Sequence, residues 1–211
     1  MKRFLIDVLL LSLPVLLAAQ TDPAAIKALD KFSATAQSAP SVSIKFRLVT
    51  INQEENKKDT AAGFLVMSKD QYRLEMPDNI TWFNGSVSWN YLKKEKEVTI
   101  TKPGKKDDSF LSKPSSIFTL YKKGYKARLV EENQKTWTVD LYPEDLKNDL
   151  VRIRLTIGKT NTDLINAEYK RKDGISLFLI VGDYNLKIKT QPVDFSFDAK
   201  KYKDAEVVDM R

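Results

Sequence analysis

The chain has 211 residues, 30% of them charged, with 35 Lys and Arg against 28 Asp and Glu, a net charge of +7, and neither histidine nor cysteine. Those two absences exclude Cys–His nucleophile pairs, His-containing metal sites, disulfides and lipid attachment through a cysteine, and they leave no side chain that titrates unaided near neutrality. Carboxylate-only catalysis stays open, and the basic balance admits an anionic surface or an acidic partner.

Residues 1–20 read as a cleaved export signal: Lys2 and Arg3, then the apolar run Val8–Leu17, then Ala18-Ala19-Gln20. That run is too short for a spanning helix, which needs about 20 apolar residues. The remainder, residues 21–211, carries a net charge of +6 and suits one domain held by its core alone. Asp22–Ala39 predicts a helix, with Asp22 as cap, Pro23 at the first position, and Ile26, Leu29 and Phe32 on one side. Pro40 ends it.

From there the apolar pattern changes to period two. Val42, Ile44, Phe46 and Leu48 alternate with polar residues, and strands follow at 60–68, 71–76, 80–83, 86–92 and 98–102. Asn84-Gly85 between alternating runs is a hairpin signal, because both turn positions must tolerate positive φ. Pro103–Pro114 is a polar loop carrying Phe110 and Leu111. Ser115–Gly124 reads as a short helix, capped by serine and stopped by glycine. Strands resume at 125–131, 136–142, 151–157, 164–171, 175–181 and 186–189, with a hairpin turn at Asp173-Gly174. The tail at 195–197 and 205–208 adds a last extended segment.

About eleven strands with one apolar face offer more area than two helices cover, so the sheet must curl on itself. The predicted fold is mainly β: a single curved antiparallel sheet forming an incomplete, half-open barrel, capped by an N-terminal helix and a short central helix. Its inner face, lined by Ile44, Phe46, Leu48, Phe64, Leu74, Trp89, Tyr91, Val139, Ile153 and Leu177, either packs on itself as an ordinary core or receives an apolar ligand. The central helix, with Ile117, Phe118, Leu120 and Tyr121 beneath it, is either a fixed cover or a lid. Lysine runs at 93–96, 105–106, 122–123 and 200–203 suit solvated turns, or attraction to an anionic membrane surface. Nucleic acid is disfavoured, since the aromatics do not interleave with the basic runs. The adjacent acids Asp107-Asp108, Glu131-Glu132 and Glu144-Asp145 read as surface. No catalytic residue, metal or cofactor is assigned.

The order Pro77-Asp78, Asn84-Gly85, Trp89-Asn90-Tyr91, Val98-Thr99-Ile100 resembles the periplasmic outer-membrane lipoprotein carrier (LolA-like) family, and the likeness extends along most of the chain after the leader. It departs in three places: Asn84 stands for the usual Asp, Ser86-Val87 for Lys-Thr, and Lys69-Asp70 for an Arg-Pro pair whose arginine latches the lid. Lys69, the position nearest that latch, keeps the charge and loses the forked geometry. The resemblance implies a non-enzymatic periplasmic carrier, a monomer, that shields the acyl chains of lipoproteins on its inner face. Its partners would be an inner-membrane lipoprotein-releasing transporter, an outer-membrane acceptor and, transiently, the membrane surface. Two other readings stay open: a lipoprotein-sensing regulatory module of the same fold, and a carboxylate-dependent hydrolase.

Overall fold

The computed structural model describes residues 21–102 and 113–211; the leader and the Phe110–Leu111 pair lie outside them. The helix α1 spans Pro23–Ser38, and Asp22 caps it by accepting from the Ala24 N–H at 2.8 Å. Asp22 also ties the helix to the sheet: its N–H donates to the Ala127 carbonyl at 2.9 Å and its second carboxylate oxygen accepts from the Leu129 N–H at 3.1 Å. These donors, the Ala24 amide foremost, hold the Asp22 carboxyl below its ordinary value.

Twelve strands follow: β1 (Val42–Asn52), β2 (Lys57–Ser68), β3 (Gln71–Glu75), β4 (Asn79–Phe83), β5 (Ser88–Leu92), β6 (Glu97–Thr101), β7 (Tyr125–Glu132), β8 (Thr136–Pro143), β9 (Leu150–Gly158), β10 (Leu164–Arg171), β11 (Ile175–Asn185) and β12 (Glu206–Asp209). They make one sheet in the order β12-β6-β5-β4-β3-β2-β1-β11-β10-β9-β8-β7, which starts and ends on different strands and so does not close. All pairings are antiparallel except β12 on β6. The half-open, mainly β architecture is as the alternation predicts.

Several elements differ from expectation. The central segment is not a helix but two 3-10 turns, Pro114–Phe118 and Leu120–Lys122, with no side-chain cap and Thr119 at φ −132° between them. Ten residues containing a β-branched Thr and two serines cannot meet the cost of helix nucleation, so the segment takes the shape that packs its apolar side chains. The Asn84-Gly85 turn has only Gly85 in the left-handed region, at φ +95°. Asn84 instead accepts the amides of Ser86 at 3.0 Å and Val87 at 2.9 Å, so β5 starts two residues later than the alternation suggests. Residues 186–189 are not a strand, because β1 begins at Val42 and leaves them nothing to pair with; Asn185 turns the chain by accepting the Lys187 amide at 2.8 Å. Phe195 closes a 3-10 turn at Pro192–Phe195 in place of an extended run.

Candidate apolar site beneath the helix and central turns

Residues opposite one another in an antiparallel pair share a face, so the register assigns sides. Leu48, Leu179, Ala167, Leu155, Val139 and Leu129 form one row across β1, β11, β10, β9, β8 and β7; Thr50, Leu177, Tyr169, Ile153, Leu141 and Ala127 form the next. On the other side of β1, Ile44 faces Leu65, which faces Leu74. All these lie on the side that bears α1. Their core members are buried to within a few per cent, including Ile44 and Val139 at 0% exposure and Ile153 at 1%.

Of the predicted lining residues, Ile44, Phe46, Leu48, Leu74, Val139 and Ile153 are brought together in this core, with Leu177 half-buried against it. Phe64, Trp89 and Tyr91 are not. Phe64 faces Lys45 and Glu75, Trp89 faces Trp82, and Tyr91 faces Ile80, all on the opposite side of the sheet. The run Phe64-Leu65-Val66-Met67 is apolar throughout, so alternation cannot pick its dry side; the register with β1 does. For Trp89 and Tyr91 alternation places both on one face, and that face is dry for a different reason. The C-terminal segment crosses it, and Tyr91 meets Tyr202 at 4.7 Å between ring centroids while Trp82 meets Phe197 at 5.7 Å. Sequence reasoning also passed over Gly63. A Cβ there would fall 2.2 Å from the Phe46 ring, so the glycine lets that ring lie against β2.

The cover is built from α1 and the central turns acting together. Leu29, Phe32 and Ala36 of the helix and Ile117, Phe118 and Tyr121 of the turns are all at most 5% exposed, with Leu120 partly buried beside them. Phe32 and Phe118 pack at 5.1 Å between centroids, and the Tyr121 hydroxyl donates to Asp30 at 2.5 Å. Burial first, then that hydrogen bond, pushes the Tyr121 hydroxyl up to about 12. A surface cleft of about 430 Å³ opens beside this link, lined by Ile26, Asp30, Tyr121 and Tyr125 among others. Lys69 is exposed, at φ +54° in the turn between β2 and β3, beside Ser68, which donates to the Pro40 carbonyl just past α1 at 3.0 Å, and it makes no ion pair with any described residue.

Among the described residues a minority of the charged groups pair with one another. On the far side of β8–β10, Arg154 grips Asp140 at 2.6 and 2.8 Å while Arg152 bridges Asp140 at 3.4 Å and Glu168 at 2.7 Å. The lysine turn at 93–96 is largely neutralised: Lys93 donates to the Met76 and Pro77 carbonyls, Lys94 pairs with Asp78 at 3.3 Å, and Lys96 with Asp204 at 3.6 Å. Among the described residues no group of three or more acidic side chains is placed to hold a metal, and no helix is long and apolar enough to cross a membrane.

The sequence model of the outer membrane lipoprotein carrier protein LolA matches residues 17–163. No curated protein is detectably similar in sequence. The fold is similar to that of an uncharacterised conserved protein from Thermus thermophilus, with a TM-score of 0.58 at 14% identity over 88% of this chain and 99% of that one. More distant likenesses are a putative outer membrane lipoprotein-sorting domain from Vibrio parahaemolyticus (TM-score 0.47, 10% identity, 85% and 98% covered) and a LolA superfamily protein from Nitrosomonas europaea (0.46, 11%, 82% and 98%). With a match over more than half its length, the chain belongs to the LolA family of outer membrane lipoprotein carriers.

Proposed function

We propose that this protein is a periplasmic carrier that binds the acyl chains of lipoproteins on the helix-bearing face of its sheet and ferries them towards the outer membrane. The observation that carries this reading is the way that face is covered. Its strands are joined to one another by continuous hydrogen-bonded pairing, whereas the helix and two short turns of the cover meet through side chains, as at Phe32–Phe118 and Tyr121–Asp30, and the helix is tied to β7 at Asp22. Such a cover can move aside once the Asp22 bonds to β7 release, with the strand ladders of the sheet left intact.

The energetics suit an exchange. Uncovering the face exposes side chains such as Leu29, Phe32, Ile117 and Phe118, at a cost of about 1.5–3 kcal/mol each. An acyl chain returns ~0.8 kcal/mol per buried methylene, so a few chains offset the loss with no polar recognition. In this view α1 and the central turns occupy the place of cargo when none is bound, and Ile117, Phe118, Leu120 and Tyr121 are the lid's underside. Ile44, Phe46, Leu48, Leu74, Val139, Ile153 and Leu177 are the floor that meets the acyl chains. The Asp30–Tyr121 link serves as latch in place of Lys69. Export by the leader, loading by an inner-membrane transporter and delivery to an outer-membrane acceptor complete the cycle.

The test is a titration of the mature protein with a fluorescent triacylated lipopeptide and its deacylated twin. Saturable binding of the acylated peptide alone is expected. Binding of neither means that the face is a permanent core and ends the carrier reading.

A further inference from the structure

The row that begins as apolar floor does not stay apolar. From Ile44, Leu65 and Leu74 it continues through Thr81, Asn90 and Thr99 on β4, β5 and β6. These three are half-buried and uncharged. Elsewhere the polar sheet face of this chain carries paired charges, as at Arg152, Arg154 and Glu168. Around Thr81 and Asn90 the surface is amide and hydroxyl, with the Glu97 carboxylate at its edge accepting from Thr99 at 3.3 Å, and can receive a strong acceptor without stripping water from a charge.

The hydrogen bonds within the row leave one donor in hand. The Asn90 side-chain oxygen accepts from Asn79 Nδ2 at 3.0 Å and from Thr81 Oγ1 at 3.2 Å. With the oxygen held twice, the carboxamide has its orientation fixed and its Nδ2 points away from both neighbours. That nitrogen carries two protons, and no described residue accepts either of them. Asn90 lies two strand spacings from Leu74, about 10 Å. A hydrocarbon chain running along the floor past Leu74 thus brings whatever joins it to its carrier over Asn90.

We propose that Asn90, held in orientation by Asn79 and Thr81, donates to the ester carbonyls at the base of the cargo's acyl chains, and so recognises a diacylglyceryl group over bare hydrocarbon. The assignment rests on the acyl-carrier reading above and adds the group that sets the cargo's depth and direction. An ester carbonyl is uncharged, a good acceptor, and sits at the junction of apolar chain and polar head. The row has that same order.

The test compares an S-dipalmitoylglyceryl lipopeptide with its dihexadecyl ether twin, which keeps the chain length and lacks both carbonyls. The wild-type protein should bind the ester form about three- to tenfold more tightly, the range expected of one or two neutral hydrogen bonds. Asn90→Leu should bring the ratio of ester to ether affinity to about one. Asn79→Ala, which frees the carboxamide to rotate, should reduce the preference part-way. The wild-type comparison needs no variant, so a failure of Asn90→Leu to fold does not rescue or sink the idea. Equal wild-type affinity for the twins, or an ester-to-ether ratio unchanged in Asn90→Leu, overturns the role of Asn90 and leaves the carrier reading standing. Binding of neither twin by wild type overturns both.

Discussion

The two halves of the sheet bury opposite sides. Across β7–β11 and β1 the dry side is the one under α1, and its far side is polar, with Arg152, Arg154, Asp140 and Glu168 paired in a largely buried cluster. Across β4–β6 the order inverts: the helix side carries Asn79, Thr81 and Asn90, and the far side carries Trp82 and Tyr91 under Phe197 and Tyr202. One sheet therefore has two cores with different covers, and the two covers are fastened differently. The C-terminal segment is fastened by β12, whose backbone pairs with β6 from Glu206–Glu97 to Asp209–Ile100. The helix and central turns have no such ladder.

The largest effects separate the two cores. Trp82 and Phe32 are both almost wholly buried, at 5% and 0% exposure. Truncating either to alanine should cost about 3–5 kcal/mol in urea unfolding, the range for large aromatic core residues. Only Phe32→Ala should alter lipopeptide affinity, because Trp82 lies beneath the C-terminal segment. A lipopeptide affinity changed several-fold by Trp82→Ala would show that the far-side core takes part in cargo binding and would dissolve the distinction.

Much of this was legible in the sequence, and the failures have physical causes. Strand existence followed from alternation, and the α1 start from Asp22-Pro23, because those signals are local. The side each strand buries was legible only where one face is charged, as in β9 with Arg152 and Arg154. It was not legible at Tyr91, whose cover comes from Phe197 and Tyr202, more than a hundred residues away. Nor could spacing reveal the Asp30–Tyr121 link or the saturation of the Asn90 oxygen, since both depend on pairings that only the folded chain makes. Export and the choice of cargo are not decided by fold geometry at all.

A middle-sized effect tests the polar side of the β7–β11 half. Asp140 is 1% exposed. Burial alone would raise its carboxyl, but the Arg154 and Tyr142 hydrogen bonds and the charges of Arg152 and Arg154 outweigh burial and lower it. A carboxyl lowered in the folded state contributes stability that is whole above its unfolded value of 3.8 and is lost as pH falls through the folded value. Asp140→Asn should cost about 3 kcal/mol at neutral pH, the low end for breaking a buried pair because Arg154 keeps some contact with water. It should also flatten part of the acid limb of the stability profile. Thermal melts from pH 2 to 7 would read both; a variant with the wild-type acid limb would place the acid-sensitive group elsewhere.

Smaller still is the cover's own fastening. Tyr121→Phe removes the hydroxyl that donates to Asp30 and keeps the ring in place. It should cost about 1 kcal/mol and, if the link is a latch, speed lipopeptide association severalfold. The wild-type protein should show a matching alkaline loss. A tyrosine raised from 10.0 to about 12 stabilises fully below the unfolded value and ceases to do so as pH rises through the folded one. Stopped-flow association at neutral pH, with wild type and variant side by side, decides the latch. An unchanged rate would make the bond a passive contact.

The smallest effect has the opposite sign. Tyr184 stands opposite Ile44 on the helix side, and its hydroxyl is buried with no partner among the described residues. Burial, with the nearby Asp163 charge second, pushes that hydroxyl well above the usual tyrosine range. A buried donor that makes no bond costs free energy rather than supplying it. Tyr184→Phe should therefore leave stability unchanged or raise it by up to about 1 kcal/mol, whereas the same substitution at Tyr121 lowers it. Both changes delete one oxygen from one tyrosine beside the same core, so the contrast isolates whether the hydroxyl is bonded. Should Tyr184→Phe prove as costly as Tyr121→Phe, the Tyr184 hydroxyl has a partner, and the floor beside Ile44 is wetter than a site for hydrocarbon should be.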